Sequence, residues 1–202
     1  MKAGVQARLR DASHACHVLI NRHPLLVGLT GRSYGLSTYH TVLVAYSRLY
    51  SALESSISQF IATETIPFDY ATRAKLNWLQ DDLRYLKNAL NVPTDLPQLT
   101  VEFPEISSVG QLIGVLYPIE GSTLGGQVIS RHLQQNLGLG RDRGASFFHG
   151  YGEETFSRWT EFCAFADSIS EDAEEYDAAE RSTLLTFYKF EEILDEYHRT
   201  AH

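Results

Sequence analysis

The sequence predicts an all-α fold, and three observations carry that reading. Apolar residues recur three and four positions apart in six separate stretches, no stretch alternates apolar and polar residues over a strand's length, and the connections are short and marked by glycine or proline. Of the 202 residues, 44% are hydrophobic and 11% aromatic, enough to fill one core, so a single domain over 1–202 is expected.

The first helix, expected over 4–22, puts Val5, Leu9, Ala12, Cys16 and Leu19 on one stripe and stops before Pro24. A turn-rich segment with Gly28, Gly31 and Gly35 leads to Ser37, a candidate cap for a long helix to about 62 whose buried face carries Tyr39, Tyr46, Leu49, Tyr50 and Leu53. Pro67 and Asp69 should open a third helix through Leu76, Leu79, Leu83, Leu86 and Leu90, before an extended segment with Pro93, Pro97 and Pro104. Residues 107–137 form the fourth, with Ser108 and Gln111 able to make a capping box. Gly138, Gly140, Gly144, Gly150 and Gly152 mark a loop that holds Phe147, Phe148 and Tyr151, and a helix over 153–169 follows. The last helix should start from a cap at Ser170 and run through Leu184, Phe187, Phe190 and Leu194.

The fourth helix holds the residues a helix tolerates least. Within Tyr117-Pro118-Ile119-Glu120-Gly121-Ser122-Thr123-Leu124-Gly125-Gly126-Gln127, three glycines cost about 1 kcal/mol each against alanine, and Pro118 removes a backbone donor, so a bend is expected there. Gly121 and Gly125, four apart, leave one face without side chains. Close packing of another helix explains such a face, and so does a flat cofactor laid against the backbone. In Leu9-Arg10-Asp11-Ala12-Ser13-His14-Ala15-Cys16-His17, His17 lies at the edge of the apolar stripe, with Ser13 and Asn21 one turn away on either side. There it is either a satisfied histidine or a metal ligand projecting into a pocket.

A formal charge of −8 with scattered lysines and arginines excludes a nucleic-acid surface. No apolar run has the length of a membrane span, and the start of the chain lacks the apolar core of a signal peptide, so a cytoplasmic protein without membrane insertion is expected. Cys16 and Cys163 sit inside helical patterns and are expected to be free thiols.

Taken together, Leu9-Arg10-Asp11-Ala12-Ser13-x-x-x-His17 and Tyr117-x-x-Glu120-Gly121-Ser122-x-Leu124-Gly125-Gly126 resemble the heme oxygenases, most closely the bacterial branch that includes the bacteriophytochrome-associated type. The resemblance implies an all-α fold with a kinked, glycine-rich distal helix. It implies heme b as both cofactor and substrate, cleaved with dioxygen and reducing equivalents to biliverdin, carbon monoxide and ferrous iron. Carried over by motif position, His17 is the proximal iron ligand, Gly121 and Gly125 are the distal backbone against the porphyrin, Arg10 pairs with a propionate and Tyr117 hydrogen-bonds one. An electron donor such as ferredoxin or a flavoprotein reductase, and a bacteriophytochrome receiving biliverdin, are the partners it suggests.

Two positions depart from parts of the family. Ser122 stands where animal members have an aspartate, although bacterial members share the serine, so proton delivery would pass to ordered water and to Arg84, placed there by its helix rather than by a motif. Asn21 stands where relatives often have a glutamate beside the ligand histidine, and a neutral partner there implies a higher ferric reduction potential. The alternative within the fold is a heme carrier or sensor without turnover. A di-iron bundle built on Asp11-x-x-His14 and Asp195-x-x-His198, and a thiaminase-like enzyme with Cys163 as nucleophile, are the alternatives outside it.

Overall fold

Helices supply all the regular structure of residues 4–90, 96–169 and 171–200, the parts described by a computed structural model. In order they are α1 (Val5–Asn21), α2 (Leu36–Thr63), α3 (Leu76–Leu90), α4 (Val109–Leu137), the single turn α5 (Ser146–His149), α6 (Thr155–Ala166) and α7 (Ala173–Thr200). Short 3₁₀ turns precede α3 and flank α6. No helix among the described residues is long and apolar enough to cross a membrane.

The pairing of α4 with α7 is the backbone of the fold, and glycines set its closeness. A Cβ on Gly110 would lie 2.0 Å from the Glu175 carbonyl oxygen, and one on Gly114 would lie 2.2 Å from that of Ala179. Only bare backbone fits, and the Thr183 hydroxyl uses the proximity to donate to the Gly114 carbonyl at 3.1 Å. The start of α4 is tied to the same neighbour. Ser108 Oγ accepts from the Gln111 amide at 3.2 Å, while the Glu175 carboxylate accepts from the Ser108 hydroxyl at 2.8 Å and from the Gly110 amide, next to the helix's positive end. Gln111 reaches back to the Ser107 amide at 2.8 Å, one residue beyond a strict capping box. Despite Pro118 and its glycines, α4 is helical without a break.

Most differences from the sequence expectation are at helix starts. The long helix begins at Leu36 with Gly35 as its cap, so Ser37 lies inside its first turn. The third helix begins at Leu76 rather than near Pro67, because the Glu54 carboxylate of α2 accepts from the backbone amides of Lys75 at 2.6 Å and Leu76 at 3.2 Å. Asp69 does accept from the Ala71 amide, but it starts only the 3₁₀ turn Ala71–Arg73. The glycine-rich loop contains α5, whose Ser146 and Phe147 amides donate to Asp82 of α3 at 2.7 and 2.9 Å. Burial holds that carboxyl up, to about 6, and the two amide bonds partly oppose the shift. The first amides of α7 belong to Asp172, which accepts from Glu174 and Glu175, and the cap expected at Ser170 lies outside the described residues.

After α1 the chain turns back through 22–35, and buried His23 fixes the turn. Its Nδ1 accepts from the Leu25 amide at 3.2 Å, which leaves the proton on Nε2, 3.1 Å from Asp195 of α7. Burial lowers its pKa, with Asp195 acting the other way, His198 adding to the lowering and Glu191 opposing it. The unfolded chain therefore takes up this proton before the folded one does, and stability should fall as pH drops below about 6.5. Melting temperatures measured between pH 7.5 and 5.5 should show a shallower slope in His23→Gln, whose amide can make both bonds without titrating. An equal slope would assign the effect elsewhere.

Candidate functional site

Among the helices lies a cavity of about 590 Å³, within the roughly 300–1,000 Å³ typical of small-molecule and cofactor sites. One wall is α1, with Arg10, His17 and Asn21, and the facing wall is α4, with Tyr117, Gly121, Ser122 and Gly125. Leu26, Val27 and Leu29 of the 22–35 turn close one side. Tyr46, Tyr50, Phe147 and Phe190 close another through a cluster of edge-to-face rings with centroids 5.3 to 5.8 Å apart.

Each wall takes its character from its helix. On α1, His17 is exposed at the cavity, with the Phe187 ring edge-on at 6.3 Å and the Asn21 amide nitrogen 3.3 Å from either ring nitrogen. A neutral imidazole that donates its one N–H, as to the Asn21 amide oxygen once that amide is turned over, can give its other nitrogen to a metal. Arg10, one face of the cavity's rim, is 62% exposed and donates to Asp11 at 2.9 Å. On α4, nothing lies within 4 Å of where a Gly125 Cβ would be, and a Gly121 Cβ would only touch the Trp159 ring at 3.6 Å. The glycines of α4 divide along its length. Gly110 and Gly114 seat α7, Gly126 meets the Phe148 carbonyl, and Gly121 and Gly125 turn toward the cavity. A planar ligand that needs backbone on one side and an imidazole on the other fits this arrangement.

Tyr117 stands half-buried, its ring 6.0 Å from Trp159. Burial raises its hydroxyl pKa, while Ser13 and Arg10 pull the other way. The Ser122 hydroxyl donates to the Ile119 carbonyl at 3.0 Å within its own helix. Arg84 does not reach the site. Its apolar neighbours Leu79 and Leu86 take the buried face of α3, so Arg84 projects outward, 63% exposed, and pairs with Asp81 at 2.5 Å.

The buried cation that lines the cavity is instead Lys75, which sequence reasoning did not single out. It belongs to a buried ionic cluster around Glu120, whose side chain is 0% exposed. Glu120 Oε1 accepts from Lys75 Nζ at 2.6 Å and Oε2 accepts from Arg73 at 2.8 Å, while the Tyr151 hydroxyl donates to the same carboxylate at 2.9 Å. Arg73 also donates to Glu161 at 2.6 Å. The signal in the sequence was Glu120 itself, the one charged residue of the largely apolar stretch 112–121. Its partners come from 31 residues or more away and could not be read locally.

Other groupings are less suited to chemistry. Asp11 and His14 are exposed, Asp195 is engaged with His23, and no three His, Cys, Asp or Glu side chains converge among the described residues as a metal site would need. Burial pushes the Cys163 thiol up, the opposite of an activated nucleophile.

Comparison with known proteins agrees with this geometry. A family model described as heme oxygenase matches residues 3–196. A heme oxygenase of Xanthomonas campestris is 33% identical over 98 residues, a match that covers 48% of this chain and about half, 54%, of that relative. The crystal structure of the heme oxygenase from Neisseria meningitidis superposes with a TM-score of 0.78 at 20% identity, covering 97% of this chain and 92% of that one. That of Leptospira interrogans gives 0.73 at 15% identity, with 96% and 100% covered. The heme complex of Synechocystis heme oxygenase-1 gives 0.70 at 14%, with 98% and 94% covered. At these identities the structures establish a shared fold.

Proposed function

The chain belongs to the heme oxygenase family, and from that premise we propose that it opens heme to biliverdin, carbon monoxide and ferrous iron, using dioxygen and reducing equivalents. The observation that carries the reading is a single cavity with His17 on one wall and the side-chain-free surfaces of Gly121 and Gly125 on the other. Bound there, heme would supply both the iron that activates dioxygen and the porphyrin edge that is oxidised. His17 would hold the iron through one ring nitrogen while Asn21 orients the ring. Arg10 and Tyr117 at the rim would take the propionates, since a guanidinium and a phenol are natural donors to carboxylates. Gly121 and Gly125 would let the plane lie close to the backbone, and the Tyr46, Tyr50, Phe147 and Phe190 rings would keep bulk water from the reacting edge.

Ser122, with its hydroxyl bonded to the helix backbone, supports a distal side where protons move through water held by backbone and neighbouring hydroxyls rather than by a carboxylate. The net charge of −8 suits a basic electron donor such as a ferredoxin reductase system or a flavoprotein, in the cytoplasm, and a bacteriophytochrome is a suitable recipient for the biliverdin.

The test is an absorption time course of the protein mixed with hemin and then reduced in air, with His17→Ala alongside. The expected result is a Soret band that decays into a biliverdin spectrum in the wild type and a variant without turnover. A Soret band stable under reduction would replace the oxygenase with a carrier or sensor.

A further inference from the structure

The ionic cluster around Glu120 holds two buried cations, and one of them, Lys75, borders the cavity. Lys75 Nζ lies 2.9 Å from the Arg73 carbonyl, 2.6 Å from Glu120 Oε1 and 2.9 Å from the Tyr151 hydroxyl. The carbonyl and the carboxylate can only accept, and Tyr151 has given its own proton to Glu120, so all three contacts need protons from Lys75. The side chain is therefore an ammonium, although it is 1% exposed and burial alone would favour its neutral form. Arg73, 3% exposed, adds a second buried cation against the single fully buried carboxylate of Glu120. The remaining acids are better screened, Glu161 being 58% exposed and Glu54 only part-buried with its carboxyl held up by burial. Of the cluster, Lys75 lines the cavity, as do Tyr50, Ser122 and Thr123, whereas Glu120, Arg73 and Tyr151 do not.

We propose that Lys75 is a positioning residue that acts by charge: held as an ammonium by Glu120, Tyr151 and the Arg73 carbonyl, it sets a positive potential on the wall opposite His17 and so favours negative charge on whatever binds there. The inference rests on the heme reading of the cavity. It gives the distal side, which has a serine where a carboxylate occurs in animal members, a source of polarisation that needs no acid at position 122 and no contact with the ligand.

Heme-loaded wild type, Lys75→Met, Lys75→Gln and Lys75→Arg are compared at pH 7 by azide titration of the ferric protein and by the C–O stretching frequency of the ferrous carbon monoxide adduct. Lys75→Met and Lys75→Gln should weaken azide about tenfold and raise the stretching frequency, and Lys75→Arg should stay near wild type. A merely structural role would shift Lys75→Arg as far as the neutral variants, and that result, or no shift in a neutral variant with a wild-type Soret band, overturns the proposal. Either neutral variant decides it alone if the other does not fold. A wild-type protein that gives no Soret band with hemin overturns the heme reading itself.

Discussion

Glu120→Ala is expected to cost about 3–5 kcal/mol of stability, because it leaves two buried cations without their shared counter-ion. Lys75 and Arg73 are 1% and 3% exposed, and each donates to a different oxygen of that one carboxylate. Neither can turn to water without dragging its strand of chain with it, since Lys75 N–H is itself held by Glu54 and the Arg73 carbonyl by Lys75 Nζ. Tyr151, too, would lose the acceptor for its hydroxyl. The damage would spread to four segments at once: α4, the 3₁₀ turn before α3, the loop after α5, and α6 through Arg158, whose carbonyl accepts from Arg73 at 3.1 Å. For a chain of 202 residues this corresponds to a melting temperature lower by roughly 10 °C. Glu161→Ala is the matched control. It removes the other carboxylate on Arg73, but one that is 58% exposed, and should cost no more than about 1 kcal/mol. Equal melting shifts for the two variants would mean that the buried pairs contribute nothing beyond a surface ion pair.

The same cluster marks the limit of what the sequence discloses. The helices are legible because each buries a stripe at helical spacing, and Leu79, Leu83 and Leu86 placed α3 correctly through Leu76 and beyond. The Ser108 cap of α4 was legible too, but the starts of α3 and α5 were less so, because each depends on a carboxylate from elsewhere, Glu54 for α3 and Asp82 for α5. A local rule that looks for a cap one residue before the helix finds Ser37 and Pro67 instead. Within the site, Arg10, His17, Tyr117, Gly121, Ser122 and Gly125 were legible as two motifs, and the fold brings both onto one cavity. Arg84 was placed by proximity in sequence to that helix's apolar residues, and the helix's own periodicity turns it to solvent. Lys75 was hidden for the converse reason: a lysine is ordinarily a surface residue, and only the fold reveals the carboxylate that holds it inside.

Alanine at Gly114 and alanine at Gly125 should have opposite effects on the ligand-free protein, although both replace a glycine on the same helix. At Gly114 the new Cβ would meet the Ala179 carbonyl oxygen at 2.2 Å and the Ser182 Cβ at 2.8 Å, so α4 and α7 must move apart. Overpacking of that kind costs about 1–3 kcal/mol or more, and the separation also weakens the Thr183 bond to the Gly114 carbonyl. At Gly125 the Cβ meets nothing within 4 Å, and replacing glycine by alanine inside a helix contributes up to about 1 kcal/mol of stability. The melting temperature should therefore fall in Gly114→Ala and hold or rise in Gly125→Ala. Hemin titration should separate them again, in the reverse order. Gly125→Ala puts a methyl group into the space between α4 and a bound porphyrin, and its affinity for hemin should drop about tenfold while its fold is intact. Gly114→Ala, where it is folded, should bind hemin much as the wild type does, because its new methyl group points at α7. A Gly125→Ala protein with undiminished hemin affinity would mean that the porphyrin does not lie on the bare face of α4, and the helix would then owe that glycine to something other than its ligand.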